Sequence, residues 1–162
     1  MNFTREGKEV VYIHYGTTYF DPERFKKPLN DGHSIKPVCD TGFWASPIDA
    51  KKGWRDWAES ESFRYYDEDN CFKFKVKDPS KIFYVNSFNA YNNLVGNYGI
   101  RKSDDFRLDR YNPYYIDFEK MVADGWDGLE ISLSEFPPLY HLLFTWDCDS
   151  ILIFNADAIC EI

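Results

Sequence analysis

The chain has 162 residues, the length of one domain, with 44% hydrophobic and 28% charged side chains. That balance excludes a disordered, collagen-like or low-complexity protein, and a chain this long folds without disulfide or metal staples. The formal net charge is −8, and the last fifty residues hold ten acidic side chains against one basic, Lys120. Non-specific coating of nucleic acid by that region is therefore not expected.

No repeat or linker divides the sequence, so residues 1–162 are taken as a single domain. Val10 to Tyr15 reads as a buried strand, and residues 21–40, rich in Pro, Asp, Lys and Gly, as a long irregular loop. Thr41 to Ser46 is a short strand, after which Ser46-Pro47 offers an N-cap and first-turn proline to a helix through Trp54 and Trp57. Those two tryptophans stand three apart, so at least one is expected in the core. Cys71 to Lys77 alternates Phe72, Phe74 and Val76 with Lys73, Lys75 and Lys77, a half-buried strand, and Ile82 to Val85 follows as another. Phe88, Tyr91, Leu94 and Val95 recur at helical spacing and stop at Gly96. Tyr115, Phe118, Met121 and Val122 mark a further helix, with Gly125 just past its end. Leu129, Ile131 and Leu133 form one strand face with Glu130 and Ser132 on the other, and Ser150 to Phe154 is apolar enough for a central strand. The order predicts an α+β protein.

Cys39, Cys71, Cys148 and Cys160 contain no C-x-x-C and are expected as small apolar residues in or near the core. Nothing ahead of the first strand reads as a secretory signal, and the longest apolar runs, five or six residues, fall far short of a membrane span. The expectation is a reduced, cytoplasmic, soluble protein with no membrane association. G-x-S-x-G, G-x-x-x-x-G-K-[ST], G-x-G-x-x-G and H-E-x-x-H are all missing, and His14, His33 and His141 are too far apart for a local metal motif. Serine-triad hydrolysis, P-loop phosphoryl transfer and zinc chemistry lose their support, and no metal is expected.

Three segments do not read as plain scaffold. Tyr12-Ile13-His14-Tyr15-Gly16-Thr17 puts a histidine at a strand end before a glycine and a hydroxyl. Thr41-Gly42-Phe43-Trp44-Ala45-Ser46-Pro47, followed by Trp54 and Trp57, gathers aromatic residues at a strand-helix corner. Gly125-Trp126-Asp127-Gly128-Leu129-Glu130-Ile131 sets a carboxylate on an otherwise apolar strand. Each also has a bland reading: a satisfied histidine, an aromatic core corner and an exposed strand glutamate.

In this order the three segments resemble the motif scheme of the ADP-ribosyltransferase-like superfamily. His14 is similar to the first-strand histidine, although Tyr15 intervenes before Gly16-Thr17. Phe43-Trp44-Ala45-Ser46 and the following helix resemble the second motif, and Glu130 the third, a late-strand glutamate. The Ser150 to Ile159 ending resembles the family's last strand, ahead of which many members carry the catalytic glutamate; here Asp149-Ser150 stands there, so Asp149 is the alternative carboxylate. The resemblance implies two small split, mostly antiparallel sheets with flanking helices around a cleft that holds NAD. It implies ADP-ribose transfer from NAD, with His14 on a ribose, Gly16 and Thr17 beside the dinucleotide, Tyr15, Trp44 or Trp54 stacked on nicotinamide and Ser46 orienting carboxylate or ribose. His14 and Glu130 are then expected to open into one cleft.

The acceptor is unread, protein or nucleic acid. Lys73, Lys75, Lys77, Arg101, Lys102, Arg107 and Arg110 lie among Phe72, Phe74, Phe106 and Tyr111, a pattern open to local nucleic-acid contact or to a solvated strand face. Two competing classes stand beside the transferase: a non-catalytic α+β binding module with an aromatic-lined groove, and a metal-independent glycosidase-like hydrolase using Glu130 and Asp147.

Overall fold

The computed structural model describes residues 3–5, 7–32, 34–63, 67–101 and 114–162. His33, and Lys102, Phe106, Arg107, Arg110 and Tyr111 of the basic-aromatic stretch, lie outside the described residues.

The class is α+β. Strands β1 (Tyr12–Tyr15) and β2 (Phe43–Pro47) precede helix α1 (Trp54–Ser60), followed by β3 (Cys71–Val76) and β4 (Ile82–Val85). Helix α2 (Phe88–Tyr98), strands β5 (Gly99–Arg101) and β6 (Tyr114–Ile116) and helix α3 (Phe118–Ala123) come next. The chain ends through β7 (Gly128–Ile131), α4 (Leu139–Leu142), β8 (Ser150–Ile153) and β9 (Ile159–Glu161). Seven strands form one sheet in the order β4-β7-β8-β2-β1-β3-β9, and β5 and β6 pair apart as a ribbon. Every pairing is antiparallel except β4 with β7. The chain between those two parallel strands carries α2, the ribbon and α3, as a parallel neighbour requires. β2 joins the two halves of the large sheet: Phe43 to Ala45 pair with β8, Ser46 and Pro47 with β1.

Cross-strand partners share a face, which sorts the core in two. Leu129, Leu152 and Trp44 stand on one side with Phe83 and Val85, against Leu94 of α2, Phe118 and Met121 of α3, and Trp146. Ala45, Ile151, Ile153 and Ile82 stand on the other with Tyr12, Phe72 and Phe74. β8 therefore has both faces buried, the physical reason for the apolar run from Ile151 to Ile153.

Local boundaries follow capping chemistry. Ser87 accepts the Ala90 N–H at the start of α2, which runs through Gly96 to Tyr98 instead of stopping there. Asp117 accepts the Lys120 N–H and starts α3, so Tyr115 belongs to β6 rather than to the expected helix. Ser46-Pro47 does not open α1 either. Both residues pair in the sheet, and the helix begins at Trp54 with the Asp56 carboxylate on the Gly53 N–H at 3.0 Å. Neither Trp54 nor Trp57 enters a core; they stack on each other at 5.2 Å, and the buried residue of α1 is Ala58. The described residues between 21 and 40 hold no helix or strand, yet Ile35 is buried in the first core, and Asn30 accepts the Phe118 N–H and donates to Asp117. The cysteines divide: Cys148 is buried and Cys71 intermediate, while Cys39 and Cys160 are exposed, against the expectation of four core thiols. Among the described residues no helix is long and apolar enough to cross a membrane.

Candidate functional site

A cavity of about 320 Å³ opens beside the joint between β1 and β2. Its walls come from Ile13, His14 and Tyr15 of β1, Trp44, Ala45 and Ser46 of β2, Trp54 of α1, and Lys36, Asp147, Cys148 and Ser150. His14, Tyr15, Trp44, Ser46 and Trp54, separated by up to forty positions, are thus brought together. Gly16 and Thr17 are not among the lining residues. Gly16 sits at φ 123, a conformation that favours glycine, and donates its N–H to the Asn70 carbonyl; the Thr17 hydroxyl donates to the Tyr19 carbonyl. Both belong to the exposed turn that ends β1.

The corner residues are fixed by short-range chemistry. The Ser46 hydroxyl accepts the Trp54 N–H at 2.9 Å, tying the start of α1 to β2. Gly53 permits that approach, because a Cβ there would stand 3.2 Å from the Ser46 Cβ. Trp44 packs against buried Trp146 with centroids 4.8 Å apart. The His14 ring stacks on Phe43 at 4.2 Å, and its Nδ1–H donates to the Trp44 carbonyl at 2.6 Å. A carbonyl only accepts, so Nδ1 carries the proton, and burial pushes the His14 pKa below its usual value. The ring is neutral near pH 7. Burial also pushes the Cys148 thiol up to about 11, which keeps it protonated.

Lys36 and Asp147 form an ion pair on the cavity wall, Nζ to Oδ2 at 2.5 Å. Each follows a deeply buried anchor: Ile35 precedes Lys36 and Trp146 precedes Asp147. Burying those two apolar side chains is what delivers the charges to the wall. Sequence reasoning passed over Lys36 within the irregular loop and assigned Asp147 only to the hydrolase reading; the buried neighbours were the available signal.

Glu130 and Asp149 do not line this cavity. They meet in a smaller one of about 120 Å³ with Arg5, Ser132 and Ser134, so His14 and Glu130 do not open into one cleft as expected. The cause is strand parity. Glu130 pairs with Ile151 and faces Tyr12, whereas Trp44 and Ser46 share the opposite side with Leu129 and Ile13. His14 has Tyr12's parity, yet it lies where β1 has run past its pairing with β2, and its ring still reaches the cavity.

Glu130, 1% exposed, is fully engaged. Arg5 forks onto it, Nε to Oε2 at 3.0 Å and Nη2 to Oε1 at 2.5 Å, and the Tyr12 hydroxyl donates to Oε2 at 2.7 Å. Burial alone would lower the Arg5 pKa, but the Glu130 hydrogen bonds and charge raise it; burial and Glu130 together raise that of Tyr12. Asp149 accepts from the Ser134 N–H at 2.9 Å, the Ser134 hydroxyl and the Lys52 N–H, clamping two loops. The expected exposed strand glutamate is instead a buried ion pair.

Among the described residues no group of three or more His, Cys, Asp or Glu is arranged to hold a metal. On β3, Phe72 and Phe74 are buried while Lys73 is exposed and Lys75 pairs with Glu9, so the rings and the lysines of this stretch do not share a surface. No protein-family model, curated protein or solved structure matches the chain.

Proposed function

We propose that this chain is a ligand-binding domain whose aromatic cavity takes a planar heteroaromatic ring of the nicotinamide type. The observation that carries the reading is the convergence of Trp44, Trp54, His14 and Tyr15 on one cavity of about 320 Å³. Small-molecule sites occupy roughly 300–1,000 Å³ and combine aromatic walls with a few polar groups. This one suits a single ring with its sugar. Ser46, Ser150, Lys36 and Asp147 supply the polar groups.

One observation favours a second reading, NAD-dependent ADP-ribosyl transfer to a protein or nucleic-acid acceptor: Asp147 places a carboxylate in that same cavity. Breaking the nicotinamide–ribose bond builds positive charge on the sugar, and a fixed carboxylate stabilises it as it develops. Glu130 and Asp149, in the other cavity with their oxygens engaged, are less suited to that role than Asp147. The four cysteines are free thiols, which fits a reducing compartment such as the cytoplasm.

The test is to incubate the protein with NAD while following both binding and free nicotinamide. Saturable binding without nicotinamide release supports the binding domain. Release that disappears in Asp147→Asn supports the transferase. No binding of NAD or of nicotinamide overturns both.

A further inference from the structure

We infer that the cavity prefers a cationic ring, a pyridinium or similar quaternary nitrogen, over its neutral isostere, and that Asp147 sets the preference. The inference rests on the ligand-binding reading above.

Three observations converge. The walls include Trp44 and Trp54, and an indole attracts a cation placed over its face. Asp147 spends only Oδ2 on Lys36; among the described residues Oδ1 accepts no hydrogen bond. Its side chain is 30% exposed, so the free oxygen is neither deeply desolvated nor fully screened. Three other polar groups of the wall each already hold one hydrogen bond within the protein. The Ser150 hydroxyl donates to the Cys148 carbonyl, Ser46 accepts the Trp54 N–H, and His14 donates to the Trp44 carbonyl.

The lining charges are then one ammonium and one carboxylate, with a neutral imidazole and a protonated thiol beside them. A bound cation shares Asp147 through Oδ1 without displacing Lys36 and gains the indole faces as well. A bound anion would compete with Asp147 for Lys36 while facing negative ring surfaces. The same geometry that favours one charge disfavours the other.

The probes are 1-methylnicotinamide, a cation, and nicotinamide, its neutral counterpart, titrated against the protein by calorimetry. The cation is expected to bind about tenfold more tightly. Asp147→Asn should bring the two affinities to within about twofold. Lys36→Gln removes the competing ammonium and should widen the gap, and this variant keeps the inference testable if Asp147→Asn does not fold. Equal affinities in the native protein, or an unchanged ratio in both variants, would overturn the inference while leaving the ligand-binding reading intact. Failure of both probes to bind would remove that reading, and the inference with it.

Discussion

Glu130 and Asp147 are the same kind of group in opposite conditions. Glu130 is buried with both oxygens taken by Arg5 and Tyr12, in a small polar cavity. Asp147 is half-buried, holds one ammonium on one oxygen, accepts no hydrogen bond on the other among the described residues, and lines an aromatic cavity. A carboxylate whose lone pairs are spent on the protein's own donors stabilises the fold's particular geometry, whereas one with acceptor capacity beside apolar walls has something to offer a ligand. The contrast separates scaffold from site more sharply than the mere presence of an acidic residue on a strand.

The largest effect is expected on the scaffold side. Arg5→Ala leaves the Glu130 charge buried without its cation, and breaking such a pair costs about 3–5 kcal/mol. A urea titration should show the loss as a lower midpoint. Tyr12 remains to donate one hydrogen bond, so a loss below about 1 kcal/mol would mean that Glu130 behaves as a surface carboxylate.

A smaller effect belongs to His14. Its folded pKa is lowered, so the unfolded chain binds more protons near its ordinary value of about 6.5. The His14 contribution to stability is therefore present above about pH 6.5 and lost as pH falls below it. His14→Phe, which retains stacking on Phe43 and Phe72, should flatten the stability profile between about pH 7 and pH 5.5. An unchanged slope would show that the ring is not held neutral. The mildest test is alkylation of the native protein: Cys39 and Cys160 should react with iodoacetamide well before buried Cys148, and early labelling of Cys148 would mean that the cavity wall opens.

Most strands were legible because their patterns are strong. Phe72, Phe74 and Val76 alternate with lysines, and Ile151 to Phe154 is apolar throughout. Two of the errors share a cause, which is that a partner remote in sequence decides the outcome. Ser46-Pro47 looks like a helix start, but pairing with Tyr12 and Ile13 keeps both in the sheet, and the Ser46 hydroxyl reaches a helix that begins eight residues later. Glu130 alternates like an exposed residue, and only Arg5, 125 positions away, makes its burial tolerable. The cavity's aromatic residues were readable from local clusters at His14-Tyr15 and Trp44 to Ser46. Lys36 and Asp147 were not, because their local mark is a single apolar neighbour each, Ile35 and Trp146, and the two charges meet across 111 positions.

The most direct test of the distinction compares two variants in one titration, with 1-methylnicotinamide as ligand and binding scored on the folded fraction. Trp44→Ala should weaken binding at least tenfold, as the loss of an aromatic wall to a cationic ring implies. Glu130→Gln should lower the urea midpoint and leave the affinity of the folded protein within about twofold of native, since it faces the other cavity. The reverse ranking, with binding lost in Glu130→Gln and kept in Trp44→Ala, would contradict the assignment of scaffold and site.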